Sequence, residues 1–230
     1  MAGKSAILKV NILADAAKAV QGLNRTESAL GKLSKVAGGA ALAAGGAALV
    51  GFGVNAVKAA GDLQQSAGAI STVFGKSAAD MLKWSTEAAT SVGLTQNEFN
   101  ELGTLIGSQL KNGGTAMDQL APKTNQLIGL GADLSSMFGG STKEAVEALS
   151  SALKGERDPI ERYGVSLNQA KIDAEAAALG FTKVGGALST EAQQAATLSL
   201  IMKQTGDAHG NFAKESNTLA GQQQRAAAQW

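Results

Sequence analysis

Apolar residues along most of this chain recur every three or four positions, the period of an amphipathic helix. One stretch departs from that rule. In Ala6–Leu13 the residues Leu8, Val10 and Ile12 alternate with Lys9 and Asn11, which predicts a short strand, the only one expected. Asp15 is placed to cap the helix that follows. In that helix Leu23, Thr26, Leu30, Leu33, Ala37 and Ala40 fall at alternating spacings of three and four, a heptad seam with one threonine in it. The seam reads either as a self-association surface or as one face of a helix packed within its own domain.

Turn signals divide the rest. Helices are expected over Asn55–Gly75 and Ser77–Val92. Thr95-Gln-Asn-Glu98 has capping-box spacing and opens a helix to Lys111, stopped by Asn112-Gly113-Gly114. A turn of helix, Ala116–Leu120, precedes Pro122, read as a first-turn proline of a helix to Phe138 that Gly139-Gly140 ends. Ser141-Thr-Lys-Glu144 is a second capping box. Ser166-Leu-Asn-Gln169 also has capping-box spacing and opens a helix to about Gly180, Thr190–Gln193 caps another to Gln204, and Asn211–Trp230 is helical with no stop signal, as if cut short. The expected fold is mainly α. It has an arm over residues 1–57, made of the short strand and a long Ala/Gly-rich amphipathic helix, and a multi-helix bundle with glycine corners over residues 58–230.

Within the arm, Val36–Val54 contains no charged or hydrogen-bonding side chain, and Lys35 and Lys58 flank it. Its length suits a membrane span of roughly 20 residues. Most of it is glycine and alanine, however, and only Val36, Leu42, Leu49, Val50, Phe52 and Val54 supply much drive out of water. Glycines recur at every seventh position (Gly31, Gly38, Gly45; Gly39, Gly46, Gly53), which lets helix backbones approach closely. Three readings follow: close helix packing in an oligomer, a segment that enters a membrane at one stage only, or a glycine-loosened linker.

Composition narrows the chemistry. Aromatics make up 4% of the chain, which favours helix-on-helix packing over a large aromatic core. The net charge of +1 argues against a strongly basic nucleic-acid surface. Residues 1–57 carry six basic groups against two acidic ones, so the arm is mildly basic and the remainder mildly acidic. With no cysteine, disulfides and thiolate chemistry are excluded. Gly75-Lys76-Ser77 lacks the upstream glycine of a phosphate loop, where Ile70 stands instead. Gly51-Phe-Gly53 follows no strand, Ser151-Ala-Leu-Lys154 lacks the companion motifs of acyl enzymes, and the single histidine, His209, sits in an expected turn. No catalytic residue, cofactor or metal site is implied.

The most distinctive stretch is Leu153–Leu167. It holds Lys154, Glu156, Arg157, Asp158, Glu161 and Arg162, the only tyrosine, Tyr163, and one of two prolines, Pro159. Gly155 suits the left-handed position after a helix, Asp158-Pro159 reads as N-cap and N1 of a short helix, and Gly164 stops it. The unit is a charged corner between helices, its charges expected in local salt bridges and caps. Glu156 with Glu161 as a catalytic pair lacks an apolar pocket to raise a pKa.

The segment Ser150–Gly180, "SSALKGERDPIERYGVSLNQAKIDAEAAALG", and the residues from Gly186 to Trp230 resemble the conserved N-terminal region of bacteriophage tail tape measure proteins. "LTQNEFNELGTLIGSQLKNGG" and "LIGLGADLSSMFGGSTKEAVEALSSALKGE" resemble it too, so the likeness runs from about Phe74 to Trp230. No single motif is decisive; their order and spacing are. The resemblance implies a non-enzymatic structural ruler, helical inside the tail tube, that sets tail length during assembly and leaves ahead of the genome on infection. It implies parallel homo-oligomers, a trimer among the options, in the host cytoplasm during assembly and then in the virion tail. It also implies tail tube and tip proteins and tail assembly chaperones as partners, with the host membrane a further one at ejection and no specific nucleic-acid binding. Glu156, Arg157, Asp158, Pro159, Arg162, Tyr163 and Gly164 become a family-like structural corner. The alternative is a membrane-active or pore-forming helical protein that uses Val36–Val54.

Overall fold

The computed structural model describes the backbone at residues 42–215 and 218–229, and the side chains from Lys58 onward except those of residues 219 and 220. The predicted strand and the seam from Leu23 to Ala40 lie outside the described residues, as does Val36. The described part is mainly α and contains no strand, only an isolated bridge between Val184 and Ala187.

Eleven α-helices occur among the described residues. Helix α1 spans Leu42–Phe74 without a break, so the part of the glycine-rich segment from Leu42 onward and the helix expected from Asn55 are one element about 50 Å long. Leu42, Leu49, Val50, Phe52 and Val54 lie on it, their side-chain surroundings undescribed. No helix among the described residues is both long and apolar enough to cross a membrane. Residues from Gln65 onward form one compact unit, which carries the last turns of α1.

Gly75 leads through a single 3-10 turn into α2 (Ala78–Thr86) and α3 (Ala88–Ser91). The sequence pattern predicts one helix here, Ser77–Val92. The hydroxyls of Ser85 and Thr86 each donate to a carbonyl three residues back at 2.7 Å, and the Glu87 amide turns to the Trp84 carbonyl, so the ladder breaks at Glu87.

Helices α4 (Gln96–Asn112), α5 (Met117–Phe138) and α6 (Thr142–Lys154) pack on one another and carry most of the core. Two of the predicted capping boxes are present: Thr95 and Glu98 bond reciprocally at the start of α4, and Ser141 and Glu144 at the start of α6. Pro122 is not in a first turn. It is the sixth residue of α5, which continues through it, because Leu120, Ala121, Thr124, Leu127 and Ile128 lie buried along one face on both sides of it. Losing the proline's amide bond costs about 3 kcal/mol, which continuous burial of that face offsets.

Two close approaches are built on glycine. Gly103 and Gly107, one turn apart on α4, leave a groove that receives Ile70 and Phe74, one turn apart on α1. A Cβ at Gly103 would lie 3.3 Å from Ile70 Cδ1, and one at Gly107 would collide with the Phe74 ring. On α5, a Cβ at Gly131 would collide with Val146 Cγ2 and lie 3.2 Å from the Val146 backbone nitrogen, so α5 and α6 meet almost backbone to backbone.

Beyond the corner helix α7 (Asp158–Glu161), α8 (Gln169–Ala178) and α9 (Thr190–Gln204) pair around a smaller cluster of Ile172, Ala176, Leu188, Ala192 and Ala196. Ile201, nearer the end of α9, joins the main core instead. The caps differ from expectation by one or two residues. Asn168, not Ser166, accepts the Lys171 amide, and Ser189, not Thr190, accepts the Ala192 amide. A 3-10 turn, Gly206–Ala208, leads to α10 (Asn211–Glu215), and α11 (Leu219–Ala227) begins at the Thr218 cap.

Candidate functional site: the charged corner

Helix α6 ends where expected. Gly155 takes φ +98, its amide donates to the Ala152 carbonyl, and the Glu156 amide donates to the Ser151 carbonyl at 2.9 Å. That pair of bonds is a Schellman motif and satisfies two carbonyls the helix would otherwise leave open. The short α7 starts one residue earlier than expected: Arg157 is its N-cap, Asp158 its first residue and Pro159 its second, and Asp158 makes no side-chain cap bond. Since proline lacks an amide donor, it fits any unbonded position of a first turn. Gly164 closes the turn with φ +74.

The corner sorts its residues by polarity. Ile160, Tyr163, Val165 and Leu167 are buried in the main core, whereas Lys154, Glu156, Asp158, Glu161 and Arg162 are exposed. Alternation of Val165 and Leu167 into the core holds this segment extended as far as Asn168, and the Gln204 side chain accepts the Ser166 amide at 3.0 Å. The same constraint moves the cap from Ser166 to Asn168.

The charges do not pair within the corner as anticipated. Arg162 reaches back to Glu144 at the start of α6, 4.0 Å away, and Arg157 donates to the Gln169 side chain at 2.7 Å. The Glu144 carboxyl lies below its usual range, chiefly because the Ser141 backbone amide donates to it and secondarily through Arg162. The exposed ion pair orients more than it stabilises. Glu156 and Glu161, both exposed, are in no apolar pocket that would tune one of them as an acid. Among the described residues, no group of three His, Cys, Asp or Glu side chains is arranged to hold a metal ion.

Tyr163 is the fixed point of the site. Its ring meets Phe138 edge to face at 6.3 Å between centroids, and the Arg162 guanidinium lies 5.6 Å from the ring centroid. Burial pushes the hydroxyl's pKa up, with Arg162 opposing and Glu144 adding to the shift, so it stays protonated at neutral pH. Its Oη is buried with no hydrogen-bond partner. Tyr163→Phe should therefore leave stability within about 1 kcal/mol of wild type, or raise it, in a urea melt. A loss of about 2 kcal/mol or more would show that the hydroxyl has a bonding role.

Phe138, Glu144 and Gln169 were not read from the sequence as partners of the corner. Glu144 was visible only as the far end of a capping box. A second feature was missed as well. Glu175 on α8, 8% exposed, accepts from Lys203 Nζ at 2.7 and 2.8 Å and from Ser199 Oγ at 2.5 Å. The Lys203 hydrogen bond is the main cause holding its carboxyl below the usual range, and Ser199 adds to it. Ser199 and Lys203 stand one helical turn apart, so the triad clasps α8 to α9. The i, i+4 Ser/Lys spacing was legible, but its acidic partner lies across a loop.

Gln109, Ser150 and Gln194 tie three helices together. Gln109 donates to Ser150 Oγ at 2.6 Å, and Gln194 donates to the Gln109 carbonyl at 3.1 Å. Ser150 opens the segment that leads into the corner, and its hydroxyl serves packing. Taken together, the corner turns the chain between α6 and α8 with most of its charged groups outward and its apolar groups in the core. In comparisons with known proteins, no family model, no curated protein and no solved structure matches this chain.

Proposed function

We propose that this chain is the N-terminal part of a phage tail tape measure protein, a structural ruler without catalytic residues. The observation that carries the reading is the ordered series of segments from Leu94 to Trp230 that resembles that family, centred on the charged corner. Two physical features support it. Helix α1 runs unbroken for 33 residues, the kind of element that converts residue count into length at 1.5 Å per residue. The corner's charges, in turn, are exposed apart from the half-buried Arg157, and they serve a joint between helices rather than a pocket. In this reading the chain associates in parallel through the Leu23–Ala40 seam, meets tail tube and tip proteins and assembly chaperones, and resides in the host cytoplasm and then the tube lumen.

The test is genetic. In-frame removal of 28 residues from a helical stretch of the parent gene should shorten tails by roughly 42 Å, measured by electron microscopy of purified particles. Insertions should lengthen them by the same rule. Tails of unchanged length in both cases would overturn the proposal.

A further inference from the structure

We infer that Gly206–Glu215 is a releasable clip, which leaves the bundle as a unit while α4, α5 and α6 stay folded. Its side-chain docking bonds fall on one turn of α5, beside two apolar anchors, Ala208 and Phe212, in the main core. Asp133 accepts the Gly210 amide at 2.8 Å on one carboxylate oxygen and the Phe212 amide at 3.1 Å on the other. Asn211 donates to Ser136 Oγ at 3.1 Å, and Ser136 Oγ in turn donates to Glu215 at 2.6 Å.

Apolar anchorage is slight. Within the clip only Ala208 and Phe212 are buried, whereas α5 alone buries ten residues. A five-residue helix does not hold itself in water, so α10 depends on its docked cap. That cap is supplied by Asp133, a residue 77 positions earlier for the Gly210 bond. Segments with few buried apolar groups and a polar attachment open locally at lower free energy than the core they rest on. The inherent consequence is a switchable surface: opening the clip uncovers the Asp133–Ser136 turn of α5 and releases the Phe212 ring. The inference is independent of the proposed function, since it rests on the clip's docking bonds, its slight burial and its short helix.

Amide hydrogen exchange of the whole chain tests it. In the wild type the amides of Phe212 and Lys214 should exchange roughly a hundredfold faster than those of Ile128 and Leu149. Asp133→Ala should speed exchange at Phe212 and Lys214 together by about tenfold, with Ile128 and Leu149 unchanged. Ser136→Ala, which leaves the Asp133 cap in place, should also speed both clip amides together, and it serves if Asp133→Ala fails to fold. Clip amides that exchange in step with Ile128 and Leu149 would overturn the inference. So would a Ser136→Ala effect that leaves Phe212 and Lys214 uncoupled.

Discussion

Phe74→Ala is expected to destabilise the compact unit by about 3–5 kcal/mol in chemical denaturation. Phe74 is fully buried and ends α1, with its ring seated in the groove that Gly103 and Gly107 leave on α4. Deleting the ring removes its transfer free energy and leaves a cavity against a helix that has no side chain there to fill it. A second substitution makes the argument sharper. In the wild type, Gly107→Ala places a methyl group against the Phe74 ring and should cost stability, about 1–3 kcal/mol for overpacking before any helix gain. With Phe74 already alanine the obstacle is gone, and the same Gly107→Ala should stabilise by about 1 kcal/mol through helix propensity. The sign of one substitution thus reverses with the background. An effect of equal sign in both would refute the seating of α1 on α4.

That groove shows where the sequence was legible and where it was not. Gly103 and Gly107 stand four apart, a spacing visible in the chain but less conspicuous than the glycine lines of the Ala/Gly-rich arm. Glycine within a polar amphipathic helix reads as a weak point until the partner that needs the space is known, and Phe74 is 33 residues away in sequence. Local signals fared better. Thr95 with Glu98 and Ser141 with Glu144 form their capping boxes because both partners lie within one turn, and Gly139-Gly140 and Gly155 end helices because the requirement is set by the chain itself. Signals that compete with tertiary contacts failed. Ser166 has the spacing of a cap, but burial of Val165 and Leu167 keeps that stretch extended. Pro122 has the look of a helix start, but the apolar face of α5 is buried on both sides of it.

The corner was legible in outline for the same reason. Its glycine stop, its proline and its inward and outward periodicity are properties of a dozen adjacent residues. Its partners were not, because Arg162 pairs with Glu144 and Tyr163 packs on Phe138, each on an element placed there by the bundle. The sequence pattern predicts local pairing of the charges, but Arg157 finds its partner in Gln169 on α8 and Arg162 in Glu144 on α6, both outside the turn.

Gly131→Leu is expected to cost about 3 kcal/mol or more, the upper range of overpacking. Leucine is a strong helix former, so α5 itself gains from the change and any loss must come from packing. Two levels of contact oppose the new side chain. The first is Val146 Cγ2, which the Cβ would strike; the second is the backbone of α6, with the Val146 nitrogen 3.2 Å and its Cα 3.4 Å from the Cβ position. A side chain can be cut back but a backbone cannot, and this separates two outcomes. Gly131→Ala should be largely relieved by Val146→Ala, with a coupling of about 1–2 kcal/mol in a double-mutant cycle. Gly131→Leu should not be, because its further atoms still need α6 to move. Since α6 carries Glu144 at one end and the corner at the other, its displacement strains both attachments of the joint, so the cost is not confined to one contact. Gly131→Leu with a denaturation midpoint equal to wild type would mean that α5 and α6 part freely, and the close approach at Gly131 would then play no part in holding the bundle.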